Sequence, residues 1–133
     1  MIVDTNIAVH WFVATELSSA AGRFRDRTDL AAPSLILMEA ANILYKYSRR
    51  GKIDPRHCAR SVLLLEYQLR DVVPNEHLLP EAIRLALANQ HPVYDCFYLA
   101  LALERHEPLL TADRRLAAIA GRVGIEAELI EPT

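Results

Sequence analysis

The stretch His91-Pro92-Val93-Tyr94-Asp95-Cys96-Phe97-Tyr98-Leu99-Ala100-Leu101-Ala102-Leu103 is apolar on every side but for one carboxylate. Such a run reads as a helix buried all round. Pro92 suits its first position, because the missing N–H would have no intrahelical partner there. An ionised acid inside the run is costly unless it is paired, hydrogen-bonded or bound to a metal. The plain alternative is a first-turn Asp favoured by the helix dipole. With His91 as N-cap, however, Asp95 falls about one full turn in, beyond the usual capping position. Any residue that offsets its burial must come from elsewhere in the chain.

The 133 residues are enough for one domain, residues 1–133, with a substantial core. A hydrophobic content of 52% excludes disorder, and no apolar run reaches membrane-spanning length. The start, Met1-Ile2-Val3-Asp4, lacks the basic region of a signal peptide. Cys58 and Cys96 are too few for a disulfide framework or a thiolate metal site, so a reducing cytoplasmic setting is expected. A net charge of -2 counts against a broad nucleic-acid-binding surface while leaving room for a local basic rim.

Met1-Ile2-Val3 reads as a strand that ends at Asp4-Thr5-Asn6, after which Ile7, Ala8 and Trp11 keep helical spacing. Asp4 thus stands at the carboxyl end of a strand, where ligand sites of open α/β sheets gather. Either Asp4 or Thr5 could equally be a helix cap. Thr15 can cap a second helix with Leu17, Ala20, Ala21 and Phe24 inward, and Leu30-Ala31-Ala32 is a second strand closed by Pro33. Ser34 opens a long helix to about Arg50, with Gly51 past its end. In it Glu39, Asn42 and Lys46 share a face, so a surface pairing of Glu39 with either neighbour competes with a role in a site. Met38 and Ala40 read as core flanks. Asp54-Pro55 starts a helix to about Leu69, whose extra apolar residues Leu63, Leu64 and Tyr67 are expected to pack on the preceding helix. Asp71-Val72-Val73 is a third strand, and Pro80-Glu81 begins a helix with Ala82, Ile83, Ala86 and Leu87 inward. Leu109-Leu110 is a fourth strand leading to Thr111-Ala112-Asp113, where Asp113 is a natural N-cap. A short helix and a strand at Ala127–Ile130 end the pattern.

Five short strands interleaved with helices predict a three-layer α/β/α fold with a mainly parallel sheet. In that architecture strand carboxyl ends and helix starts share one rim, and Asp4, Glu39, Asp95 and Asp113 all point to it. Four close carboxylates cannot all stay ionised without compensation. Hard divalent cations take such oxygen ligands and can support phosphodiester cleavage. His10, His57, His77, His91 and His106 form no zinc-like spacing, and no glycine-rich phosphate loop or GxSxG elbow is present.

Val3-Asp4-Thr5-Asn6, Glu39-Ala40-Ala41-Asn42, Tyr94-Asp95-Cys96-Phe97-Tyr98-Leu99-Ala100 and Leu110-Thr111-Ala112-Asp113 resemble the motifs of PIN-domain ribonucleases. The chain is most similar to VapC-like toxins of bacterial toxin–antitoxin pairs, nearly end to end. The resemblance implies a parallel sheet between helices and an Mg²⁺- or Mn²⁺-dependent endoribonuclease. It implies that Asp4, Asp95 and Asp113 hold metal, that Glu39 completes the acidic cluster, and that Thr5, Asn6 and Thr111 support it. Asn42 belongs to the same motif set. A homodimer and a small antitoxin partner are also implied. Some relatives place a further acid soon after the fourth, whereas here Arg114, Arg115 and Leu116 follow Asp113. Cys96, where Ala is common, reads as a packing variant.

Arg49, Arg50, Lys52, Arg114 and Arg115 are candidate RNA contacts, although helix-end stabilisation accounts for each singly. Two other readings compete. An aspartyl-phosphate phosphatase or receiver-like domain also puts Asp after the first strand, but the phosphatase needs a second Asp where Asn6 stands. A non-catalytic binding module would keep the fold and use the Arg56, Arg60, Leu63 and Tyr67 face.

Overall fold

A computed structural model describes residues 1–133. Its five strands are β1 (Ile2–Val3), β2 (Ala31–Pro33), β3 (Asp71–Val73), β4 (Leu109–Thr111) and β5 (Ala127–Leu129). They form one sheet in the order β3-β2-β1-β4-β5, with every pairing parallel. The helices are α1 (Thr5–Ala8), α2 (Ser18–Gly22), α3 (Leu35–Arg49), α4 (Cys58–Gln68), α5 (Leu79–Asn89), α6 (Val93–Arg105) and α7 (Arg114–Arg122). They flank the sheet in a three-layer α/β/α arrangement, as the alternation of strand and helix patterns requires. No helix is long and apolar enough to cross a membrane.

The chain runs outward from β1 through β2 to β3, then crosses back to place β4 on the other side of β1. The order therefore reverses between β1 and β4, and the crevice outside their carboxyl ends is where a sheet of this kind binds ligands. The register pairs Ile2 with Leu109 and Val3 with Leu110. Asp4 N–H then donates to Leu110 C=O at 3.0 Å, so Asp4 and Thr111 leave the sheet side by side.

The core is built from strands with no polar face. Ile2, Val3, Leu109 and Leu110 are fully buried, as short parallel strands covered on both sides must be. Cys96 to Ala102 of α6 are all buried across β1, β2 and β4. Val93 and Tyr94 are exposed and Leu103 is only half-buried, so both ends of α6 depart from the expected all-round burial.

Several sequence expectations change. Pro92 is the N-cap of α6, with ψ 137°, and Val93 is its first residue, so Asp95 lies within the first turn. In α5, Ala82, Leu85 and Ala86 face inward while Ile83 and Leu87 face solvent. That helix carries apolar residues around more than one side, and periodicity cannot choose between two apolar stripes. Met38 is 69% exposed rather than core. Leu63, Leu64 and Tyr67 are likewise uncovered, and the buried residues of α4 are Ser61 and Leu65. Asp54 caps a 3-10 turn, Pro55–His57, accepting from Arg56 N–H at 2.9 Å, and α4 itself starts one turn later than expected, behind His57. Thr15, expected to cap the second helix, instead forms a turn ahead of it, accepting from Leu17 N–H at 3.1 Å, and the N-cap of α2 is Leu17 with no side-chain cap.

Candidate metal centre

Asp4 sits at the end of β1 and is 4% exposed. The Thr111 hydroxyl donates to its Oδ2 at 2.8 Å. Burial pushes the Asp4 carboxyl up to about 7, and the charges of Asp95 and then Glu39 push the same way against the Thr111 bond.

Glu39 lies on α3 and is half-buried. Neither Asn42 nor Lys46 pairs with it, which corrects the surface-pairing alternative. Its Oε1 instead accepts from the Thr5 hydroxyl at 2.9 Å and from the Tyr98 hydroxyl at 2.5 Å. Those two hydroxyls also touch each other. Burial, followed by the Glu39 and Asp4 charges, holds the Tyr98 phenol well above its usual range. It stays an O–H, able to donate to a carboxylate.

Asp95 projects from the first turn of α6. Burial raises its carboxyl, His91 opposes that rise, and the charge of Asp113 adds to it. His91 Nε2 lies 2.9 Å from Asp95 Oδ2 and 3.8 Å from Asp113 Oδ2. Asp113 caps α7 with Oδ1, which accepts from the N–H groups of Arg115 and Leu116 at 2.9 and 3.1 Å. His91, Asp95 and Asp113 each offer an atom within 4.8 Å of the others.

A common plan emerges. Each acid has one oxygen held by protein donors: Oδ2 of Asp4, Oε1 of Glu39, Oδ2 of Asp95 and Oδ1 of Asp113. The group whose ligand atoms converge within 4.8 Å is His91, Asp95 and Asp113, and neither Asp4 nor Glu39 joins it; carboxylate oxygens of this kind are the ligands that hard divalent cations take. The cap made by Asp113 and a role in such a set are compatible, since they use different oxygens.

The supporting residues divide. Asn6 Oδ1 accepts from Ala112 N–H at 3.0 Å and its amide reaches Thr111 Oγ1 at 3.4 Å, so it braces the β4 loop against α1. Asn42 is exposed one turn beyond Glu39 and makes no bond to it. Arg49, Arg50 and Lys52 fall at the far end of α3, about 15 Å along the helix from Glu39. Arg114 pairs with Glu131 at 3.0 Å, and Arg115 donates to Gln90 C=O at 2.7 Å. Burial and Asp95 push the Cys96 thiol up to about 11, which removes it from thiolate chemistry. His91 and Tyr98 are the residues sequence reasoning missed. For His91 the available signal was its i, i+4 spacing to Asp95.

A parallel sheet with acids at its topological switch and on the adjoining helices defines a class, and residues 1–122 match the model of the PIN domain. The chain belongs to the PIN-domain family. It is 34% identical over 122 residues to Ribonuclease VapC3 of Pyrobaculum aerophilum, an alignment covering 88% of this chain and 92% of that protein. Among solved structures it is similar to the crystal structure of PAE2754 from the same organism, with a TM-score of 0.68 and 25% identity. That likeness covers 95% of this chain and 88% of the other.

Proposed function

We propose that this chain is a metal-dependent endoribonuclease, the toxin of a toxin–antitoxin pair, with residues 1–133 acting as one domain in the cytoplasm. The observation that carries the reading is the acid cluster at the sheet edge: each acid is held through one oxygen, and Asp95 and Asp113 bring ligand atoms within 4.8 Å of each other. Membership of the PIN-domain family and the likeness to a VapC ribonuclease give that cluster its reaction class.

Asp4, Asp95 and Asp113 would hold Mg²⁺ or Mn²⁺, with Glu39 completing the charge of the cluster. When bound, the ion supplies charge neutralisation for the scissile phosphate and lowers the pKa of a neighbouring water. The residues of the chain do the rest. Thr111 and Asn6 hold the ends of β1 and β4 at fixed spacing. Thr5 and Tyr98 hold Glu39 in place through Oε1, where its carboxylate would accept a proton from the attacking water. Arg114 and Arg115 flank Asp113 where RNA phosphate would arrive, although each is partly engaged by Glu131 or Gln90. Arg49, Arg50 and Lys52 would contact only RNA extending along α3. Asn6, where an aspartyl-phosphate phosphatase has its second acid, is committed to the β4 loop, which disfavours that rival.

Two apolar surfaces support the partners. Leu79, Ile83 and Leu87 form an exposed stripe along α5, fit for a second copy of the chain. Leu35, Met38, Asn42, Ile43 and Tyr94 line a groove of about 290 Å³ beside Glu39. A small antitoxin seated there would cover the site.

The test is cleavage of RNA by the purified protein with Mg²⁺ or Mn²⁺. Asp95→Asn and excess chelator should each lower the rate at least about a hundredfold. Cleavage that survives either treatment unchanged would sink the metal mechanism.

A further inference from the structure

His91 lies between α5 and α6, its side chain 3% exposed, behind two carboxylates that are each 31% exposed. Its backbone N–H returns to Ala86 C=O at 3.2 Å, which fixes the ring's origin. The imidazole has polar company only on one side. Nε2 faces Asp95 Oδ2 at 2.9 Å and Asp113 Oδ2 at 3.8 Å, while Nδ1 is buried with no hydrogen-bond partner.

That asymmetry decides what the ring does. A carboxylate oxygen only accepts, so Nε2 carries the proton in the bond to Asp95. A ring that ligated metal through Nε2 would carry its proton on Nδ1 instead. Metal-ligating histidines almost always have an acceptor for that second N–H, and here Nδ1 meets none. A lone pair facing the interior is tolerated better than an unsatisfied N–H.

We infer that His91 is a positioning residue of the metal centre rather than one of its ligands. Its Nε2–H holds Asp95 Oδ2 on the protein side, beside Asp113, so that Asp95 Oδ1 turns toward the cation. This rests on the proposed reading of the acids as a cation site. It assigns His91 a task the four-acid description lacks, and the pre-set spacing of Asp95 and Asp113 follows from it.

The experiment compares the full-length wild type with His91→Gln, which keeps a donor near the Nε2 position, and His91→Leu, which removes it. Mn²⁺ affinity is read from the paramagnetic resonance of free Mn²⁺, with thermal melts alongside. We expect His91→Leu to bind Mn²⁺ at least about tenfold more weakly and His91→Gln to stay within about threefold of wild type. Pulsed resonance of the bound ion should show no imidazole nitrogen coupling. Equal affinity in His91→Leu and wild type overturns the inference, as does a His91→Gln that folds but binds as weakly as His91→Leu. A nitrogen coupling lost on substitution also overturns it, by making His91 a ligand. Should His91→Leu fail to fold, His91→Asn, whose amide is too short to reach Asp95, takes its place. A wild type that binds no Mn²⁺ overturns the cation centre itself, whereas the other failures remove only the role of His91.

Discussion

The Thr111 hydroxyl donates to Asp4 Oδ2 at 2.8 Å, joining residues 107 positions apart at the ends of β1 and β4. Thr111 Oγ1 in turn accepts the Asp113 N–H at 3.0 Å. One fully buried hydroxyl thus orients one acid by donating to it and the backbone of another by accepting from it. Thr111→Val keeps the volume but leaves both groups without that partner. We expect a loss of roughly 2 kcal/mol in urea unfolding, together with weaker Mn²⁺ binding. Thr111→Ser should stay close to wild type in both. Equal behaviour of Val and Ser would show that the hydroxyl has no such role.

Asp4 makes stability depend on pH in a direction opposite to most acids. Its carboxyl is raised from 3.8 to about 7, chiefly by burial. Between those values the folded state binds the proton more tightly than the unfolded one, so stability falls as pH rises through the window. The full cost of ionising it is on the order of 4 kcal/mol, reached above neutrality. A bound cation favours the ionised form and offsets that cost. Mn²⁺ should therefore raise the melting temperature several degrees more near pH 8 than near pH 5. Asp4→Asn in chelator should melt above the wild type near pH 8. A wild type whose cation shift is the same at both pH values would contradict this.

Tyr98 tests the other half of the site. It is fully buried, and its hydroxyl is one of two donors to Glu39 Oε1. Tyr98→Phe removes one donor and leaves the Thr5 bond. A hydrogen bond to a charged group contributes roughly 1.5–3 kcal/mol, and a loss at the lower end is expected because one donor remains. RNA cleavage should drop about tenfold through a misplaced Glu39, while Mn²⁺ affinity changes less than in Thr111→Val. Cleavage at the wild-type rate would separate Tyr98 from the chemistry and leave it a core residue.

The sequence made the sheet and its rim legible because strand, turn and carboxylate recur in the same order at Val3-Asp4 and Thr111-Asp113. Burial of Cys96 to Ala102 was legible for a similar reason, since no polar face exists in that run. The contacts within the site were not. Which donor meets Glu39 depends on α3 and α6 meeting beside α1, a tertiary fact that no local spacing encodes. With Pro92 as N-cap, Asp95 occupies the first turn of α6, where the dipole favours an acid. What sets it apart from an ordinary first-turn acid is its burial beside His91 and Asp113. Where helices carry surplus apolar residues, as α4 and α5 do, periodicity identified the helix and left the inward face ambiguous.

That surplus yields a last expectation. Ile83 and Leu87 are 41% and 74% exposed and, with Leu79, occupy every fourth position of α5. Residues so placed add little to the fold of one chain, whereas a contiguous stripe of this kind is what a dimer interface buries. Ile83→Glu combined with Leu87→Glu puts like charges on both sides of a two-fold contact. Light scattering should give a dimer for the wild type and a monomer for the double variant, with the helical circular dichroism of each unchanged. The variant should melt lower and with less dependence on protein concentration, because association no longer supports the folded chain. A double variant that remains dimeric would move the interface away from α5. A monomeric wild type would remove the dimer altogether and leave the stripe to another partner.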